Sequence, residues 1–296
     1  MTTDIDCSLV IRTYNESRHL GDLLERVSQQ ATSLRTEVIV VDSGSTDATI
    51  LLARKFGCHV SHISKDEFTF GRSLNMGCTA ATGETLVFVS GHCVPTSDTW
   101  LSRLVDPILR GIADYTYGRQ VGGAASRFSE KQLLRKYYPE AGEPAPSGFF
   151  CNNANAALRR STWERLRFDE TLTGLEDLEL AKRLVSDGGR VAYVADAAVY
   201  HYHDETWRNV RMRYEREAIA LQRIMPEVHL SVTDVLRYFL SAVLLDSGAA
   251  LQERSLLKNA GPILLFRLMQ FWGSYKGNHE HRRLSHAMKE RYFYPK

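Results

Sequence analysis

The 296-residue chain has no apolar run approaching the ~20 residues that cross a bilayer, which excludes an ordinary transmembrane helix. Its first residues, Met1 to Asp6, lack the positive charge and apolar stretch of a secretory signal, so the expected location is the cytoplasm, including the inner face of the membrane. Cysteine is scarce. Five residues (Cys7, Cys58, Cys78, Cys93, Cys151), an odd number without paired spacing, exclude a disulfide framework and a cysteine zinc site, and read as reduced core thiols. Charge of one sign is also lacking: 37 Lys plus Arg against 35 Asp plus Glu leave +2, which excludes a wholesale nucleic-acid binder. There is no internal repeat, and no Gly-rich loop with a following basic residue near the N-terminus to handle a nucleoside triphosphate.

What is present is a globular balance, 44% hydrophobic and 24% charged, in which short apolar runs alternate with amphipathic stretches. That pattern predicts strands joined by crossover helices in a mostly parallel sheet. Strands are expected at Cys7–Ile11, Glu37–Val41, His59–Ile63, Thr85–Val89, Tyr115–Val121, Arg190–Val194 and Ala198–Tyr202. Helices are expected at Asp47–Phe56, Leu74–Ala81, Ser97–Leu109 and Glu176–Val185, with Leu20, Leu23, Leu24 and Val27 marking another. A loop rich in Gly, Pro and Ser covers Glu140–Gly148.

Beyond Asp204 only helical periodicity remains, which divides the chain into an α/β domain over 1–215 and a helical extension over 216–296. Val232–Leu245 and Ile263–Trp272 are apolar, with Gly261-Pro262 as a breaker between them. Residues 252–296 hold nine Lys or Arg against three Glu. Packing on the domain, rest on an anionic membrane surface, and a homodimer contact are the three roles such helices suit.

Ligands of open α/β sheets gather at the carboxyl ends of the strands. There the first strand leads into Arg12-Thr13-Tyr14-Asn15-Glu16 and the second into Asp42-Ser43-Gly44-Ser45-Thr46-Asp47. Carboxylates accept from a base N–H or from ribose hydroxyls, and Tyr14 offers apolar contact beside a base. Ser45 and Asp47 equally suit a turn and a helix N-cap. In the block Phe68 to Gly77, Arg72 is a bidentate donor suited to a diphosphate and Asn75 can bond a base edge or a phosphate. The fourth strand ends in Ser90-Gly91-His92-Cys93, and His201 and His203 face one way if their strand continues. Thr173 and Glu176 have the spacing of a capping box, which leaves Asp177 unexplained. Asn152, Asn153 and Asn155 can each donate to and accept from sugar hydroxyls, while Trp163 suits either a pyranose face or the core.

These segments, in this order, resemble family 2 glycosyltransferases of GT-A fold, in their rhamnosyltransferase-like branch, over residues 5 to about 215. The resemblance implies a GT-A sheet and a donor nucleotide held by Thr13, Tyr14, Glu16, Asp42, Ser43, Arg72, Asn75, Ser90 and Gly91. It implies a general base in the Glu176-Asp177 pair, with Asp177 facing the anomeric carbon, and an acceptor pocket near Asn152, Asn153, Asn155 and Trp163. The family's Asp-x-Asp is replaced here by Ser-Gly-His-Cys, which puts His92 where a metal-binding carboxylate is usual, with His201 and His203 as further ligands. Imidazole suits Mn2+ better than Mg2+, and metal independence is also open. The expected activity is inverting transfer of a hexosyl or deoxyhexosyl group from a nucleotide sugar to a glycan or lipid-linked acceptor in surface polysaccharide synthesis. A catalytically silent sugar-nucleotide binder and a sugar nucleotidyltransferase are the alternatives.

Overall fold

Leu9, Val10 and Ile11 are buried in succession, so their strand is covered on both faces, as parallel strands flanked by helices must be. The computed structural model describes residues 5–141, 148–279 and 292–294, so the core of the Glu140–Gly148 loop, 142–147, lies outside the described residues. In chain order its strands are Cys7–Thr13 (β1), Thr36–Asp42 (β2), His59–His62 (β3), Thr85–Ser90 (β4), Cys93–Pro95 (β5), Tyr115–Gly122 (β6), Asn155–Arg159 (β7) and Val191–His201 (β8). The helices are Ser17–Ser28 (α1), Thr49–Lys55 (α2), Phe70–Ala80 (α3), Trp100–Leu109 (α4), Phe128–Tyr137 (α5), Arg160–Leu166 (α6), Glu176–Ser186 (α7), Trp207–Ile224 (α8), Val232–Gln252 (α9) and Leu256–Asn278 (α10).

The chain divides into two compact units. The first comprises Met1–Gly123, Leu134–Thr171 and Glu176–Tyr202. It carries one sheet, in the order β3-β2-β1-β4-β7-β6-β8-β5. The pairs β3–β2, β2–β1, β1–β4 and β6–β8 are parallel; β7 runs antiparallel to both β4 and β6, and β5 to β8. Leu20, Leu23 and Leu24 of α1, Ala53 of α2 and Trp100, Leu101 and Leu104 of α4 belong to the cluster that covers Leu9, Ile11, Val87 and Val89. All five cysteines are free, four of them buried, and burial pushes the Cys93 and Cys151 thiols far up, as inert core residues require.

Two strands expected around Asp196 are one strand, β8, because its ladder to β6 continues across an irregularity between Gly118 and Gln120. Strand β5 and the short helices α5 and α6 had no periodic signal long enough to detect.

The second unit comprises Ala124–Leu133, Leu172–Leu175 and His203–Lys296. Its last segment begins at His203, ahead of the boundary expected at 215/216, and α8 is one continuous helix whose length packs with α10. The close contact depends on two glycines one turn apart. A Cβ on Gly273 would lie 2.3 Å from the Arg211 carbonyl oxygen, and one on Gly277 2.1 Å from that of Glu215. The breaker at Gly261-Pro262 does not end a helix, because α10 already begins at Leu256 and carries Pro262 inside it. Ser231 and Asp234 form a reciprocal capping box at the start of α9.

Candidate active site

In the sheet registers Thr13 lies beside Asp42 and Arg12 beside Ser90, so β1, β2 and β4 end on one edge. The Ser90 amide donates to the Ala154 carbonyl (3.2 Å), and the Tyr202 amide to the His92 carbonyl (3.1 Å), which brings 152–154 and the end of β8 to that edge.

The first two loops are zipped together. Asp42 is fully buried, and its carboxylate accepts from Thr13 Oγ1 (3.0 Å), Gly44 N and Ser45 N (2.9 Å each) and Ser45 Oγ (2.5 Å). Ser43 donates to the Thr13 carbonyl from its amide (3.1 Å) and its Oγ (3.2 Å). Asn15, at φ 56°, donates its amide to Ser45 Oγ and accepts the Thr46 amide, both at 2.8 Å. Asp47 accepts from Ser17 N (3.1 Å) and Thr49 N (3.0 Å). Burial raises the Asp47 pKa, but the hydrogen bonds from Ser17 and Thr49 outweigh it and hold the carboxyl at about 2. Asp42 and Ser43 therefore tie the loops after β1 and β2 together. Tyr14 is half-buried, and Lys65 donates to its hydroxyl (3.1 Å) with Nζ 4.9 Å from the ring centroid. Lys65 carried no motif and was not expected here.

The end of β4 supplies a histidine cluster. His92 Nδ1 is 2.8 Å from Glu16 Oε1, and its ring stacks on that of His201 with centroids 5.1 Å apart. A Cβ on Gly91 would come within 2.9 Å of Glu16 Cγ, so glycine lets this turn approach the first loop. Gln120 orients His201 through Oε1 to Nδ1 (2.7 Å) and donates from Nε2 to Asn152 Oδ1 (3.1 Å). Ligand nitrogens of His92 and His201 lie within 4.8 Å of each other, and two imidazoles beside a carboxylate suit a transition-metal ion. His203 belongs to the second unit, where its Nδ1 is 2.6 Å from Glu130 Oε1.

The start of α7 places two carboxylates side by side. The buried Glu176 accepts from Arg12 Nη1 (3.1 Å), whose guanidinium also lies 4.9 Å from the Phe70 ring centroid. Asp177 accepts the Asn153 amide on Oδ2 and the Leu178 amide on Oδ1, both at 2.8 Å. Desolvation, then the Glu176 charge, push Asp177 up to about 7 against those amides and Arg12. Thr173 does not cap the helix; its Oγ1 donates to the Arg216 carbonyl (2.9 Å) inside the second unit.

Asn153 is held by the Tyr115 hydroxyl, which donates to its Oδ1 (2.5 Å), and its buried Nδ2 has no hydrogen-bond partner among the described residues. Asn152 is half-buried.

Three expected site residues are structural instead. Asn155 is fully buried, accepts Trp100 Nε1 (2.9 Å) and donates to the carbonyls of Arg119 (3.1 Å) and Ala197 (2.7 Å), so no polar group is left for an acceptor. Asn75 accepts Trp163 Nε1 (3.0 Å) and the Phe168 amide (3.1 Å), and donates to the Phe168 carbonyl (2.9 Å) and Glu170 (3.0 Å). Trp163 is buried by that bond and by Arg167 over its ring (3.8 Å), which removes it from any sugar. Arg72 pairs with Glu170 (2.9 Å) at a separate cavity of about 680 Å³, lined also by His62, Met76 and Arg167. Sequence reasoning missed Arg12 and Gln120, although a charge ending an apolar strand was the available signal for Arg12.

Comparison with known proteins agrees with this architecture. The sequence model of the family described as glycosyl transferase family 2 matches residues 8–167. The O-antigen chain rhamnosyltransferase RfbN of Salmonella typhimurium is 28% identical over 224 residues, 70% of this chain and 69% of that protein. Mannosyltransferase PcManGT from Pyrobaculum calidifontis, solved with GDP-Man and Mn2+, has a similar fold: TM-score 0.64 at 17% identity, over 93% of this chain and 85% of that one. Glucosyl-3-phosphoglycerate synthase from Mycobacterium tuberculosis, solved with Mn2+, UDP-glucose and phosphoglyceric acid, gives TM-score 0.55 at 22% identity, over 74% and 80%.

Proposed function

Because the chain belongs to glycosyl transferase family 2 and is a glycosyltransferase of GT-A fold, we propose that it inverts the anomeric centre with Asp177 as general base. The observation that carries this is the position of Asp177: a buried carboxylate, raised to about 7, on the sheet edge where the β1, β2 and β4 loops converge. A base tuned near working pH is the kind general-base catalysis needs.

The frame around Asp42, Ser43 and Thr13 holds the nucleoside, with Tyr14 beside the base and Glu16, Ser90 and Gly91 lining the loop that follows. Asp177 takes the proton of an acceptor hydroxyl as that oxygen attacks the anomeric carbon from the face opposite the nucleotide. The bond from that carbon to the diphosphate oxygen breaks, and the nucleoside diphosphate leaves. Arg12 pairs with Glu176 and reduces, without cancelling, the effect of that charge on Asp177. Asn152 and Asn153 stand on the acceptor side, where Asn153 has a donor uncommitted among the described residues.

His92 and His201, with Glu16, would hold a divalent cation, for which Mn2+ suits the imidazoles better than Mg2+. Such an ion would neutralise charge on the departing diphosphate. The solved neighbours with Mn2+ support this reading. RfbN supports a deoxyhexose such as rhamnose as the transferred sugar, and a growing surface polysaccharide as acceptor.

The test is product analysis. Candidate nucleotide sugars are incubated with glycan acceptors, nucleoside diphosphate release is measured, and the new linkage is assigned by NMR. An anomeric configuration opposite to the donor's is expected; retention of the donor configuration would overturn the proposal.

A further inference from the structure

The two C-terminal hairpin helices leave rows of large apolar side chains uncovered. On α10, Leu257, Leu264, Leu268 and Trp272 recur at spacings of seven, four and four, which is one helical face, and the last three are 51%, 46% and 52% exposed. On α9, Leu236, Leu240 and Leu244 recur every four residues, with Leu240 57% and Leu244 71% exposed. Monomeric soluble proteins rarely leave contiguous apolar patches of this kind without a partner.

Charge distinguishes what that partner is. Between Arg237 and Glu253 the only charged residue is Asp246, and between Lys258 and Lys276 the only one is Arg267. These two pair with each other inside the hairpin, Nε to Oδ2 and Nη2 to Oδ1, both at 2.8 Å, and both residues are buried. The outer rows are thereby free of unpaired charge in their middle. At their margins Arg237, Arg254 and Lys258 are exposed, beside Asp234, which pairs with Arg237 (3.4 Å), and the exposed Glu253. The sequence from 252 to 296 holds nine Lys or Arg against three Glu. Two copies of a segment with this net positive charge repel, whereas an anionic bilayer attracts it.

We propose that the outer rows of α9 and α10 form a docking surface for an anionic lipid bilayer. The leucines and Trp272 enter the boundary between headgroups and acyl chains, while Arg237, Arg254 and Lys258 stay among the anionic headgroups. The surface would hold the enzyme where lipid-linked acceptors reside, and it does not depend on which residue is the base.

The experiment is flotation of the full chain with vesicles of phosphatidylcholine alone or mixed with phosphatidylglycerol. The wild type is expected to float with the mixed vesicles and weakly with the neutral ones. Leu240→Asp with Leu244→Asp, and separately Leu264→Asp with Leu268→Asp, are expected to lower partitioning on the order of 100-fold, from the lost burial of two leucines. Arg254→Ala with Lys258→Ala replaces exposed residues only and is expected to weaken binding to the mixed vesicles on the order of 30-fold. A wild type that stays unbound, or variants that float as it does, overturn the proposal. So does a dimer in vesicle-free buffer that the leucine variants dissociate, seen by light scattering without any flotation, which assigns the surface to a second copy.

Discussion

The loops after β1 and β2 and the start of α7 both bury carboxylates on one sheet edge, but the donors are distributed differently. Asp42 accepts four hydrogen bonds from its own and the neighbouring loop. Asp177 accepts two backbone amides and sits against the like charge of Glu176. A carboxylate whose acceptors are filled by the protein builds a frame, whereas one kept short of compensation is left with affinity for a proton. The first arrangement fixes two loops against each other; the second has the character that acid–base chemistry needs.

The largest effect that would break this contrast is on turnover. Asp177→Asn is expected to lower kcat by roughly 10²- to 10⁴-fold while calorimetric affinity for the nucleoside diphosphate is unchanged. Full activity in that variant would put Asp177 on the same footing as Asp42. The converse substitution, Asp42→Ala, orphans donors in both loops and is expected to cost about 3 kcal/mol in urea unfolding, with nucleotide affinity lost alongside. An unchanged unfolding midpoint would mean that the loops do not rely on it.

The two regions should also respond to pH with opposite sign. Asp177 binds its proton more tightly when folded, at about 7 against an ordinary 3.8, so its contribution to stability is present at low pH and declines as pH rises between those values. Asp47, held at about 2, contributes above its ordinary 3.8, and that contribution is lost as pH falls from there toward 2. Urea midpoints measured across pH should lose the first trend in Asp177→Asn and the second in Asp47→Asn; unchanged trends would remove the electrostatic basis of the contrast. The smallest effect concerns the reassigned crevice. Trp163→Phe removes one buried hydrogen bond to Asn75 and is expected to cost about 1 kcal/mol with the acceptor KM unchanged. A raised KM would return Trp163 to the acceptor pocket.

Much of this edge was legible in the sequence because strand-end loops are short and local. Thr13, Asp42, Ser90 and His92 fall at the ends of apolar runs, so finding the runs placed the residues. Asn75 and Asn155 have their amides filled within the protein, and Trp163 takes the core alternative, because a side-chain N–H satisfied by residues far along the chain looks, in sequence, the same as one awaiting a ligand. Lys65 and Gln120 were missed because their roles come from packing against Tyr14 and His201, which no local spacing encodes. The compact units divide ahead of α8 and the expected boundary falls within it, because periodicity marks α8 as a helix without saying what it packs on.

The pH dependence of kcat/KM for transfer tests the central claim most directly. With Asp177 as the base, activity should fall as the medium is acidified through an apparent pKa near the value of about 7 held by that carboxyl, and the limb should vanish from the residual activity of Asp177→Asn. A profile flat between about pH 5 and 8, or the same limb persisting in the variant, would contradict it.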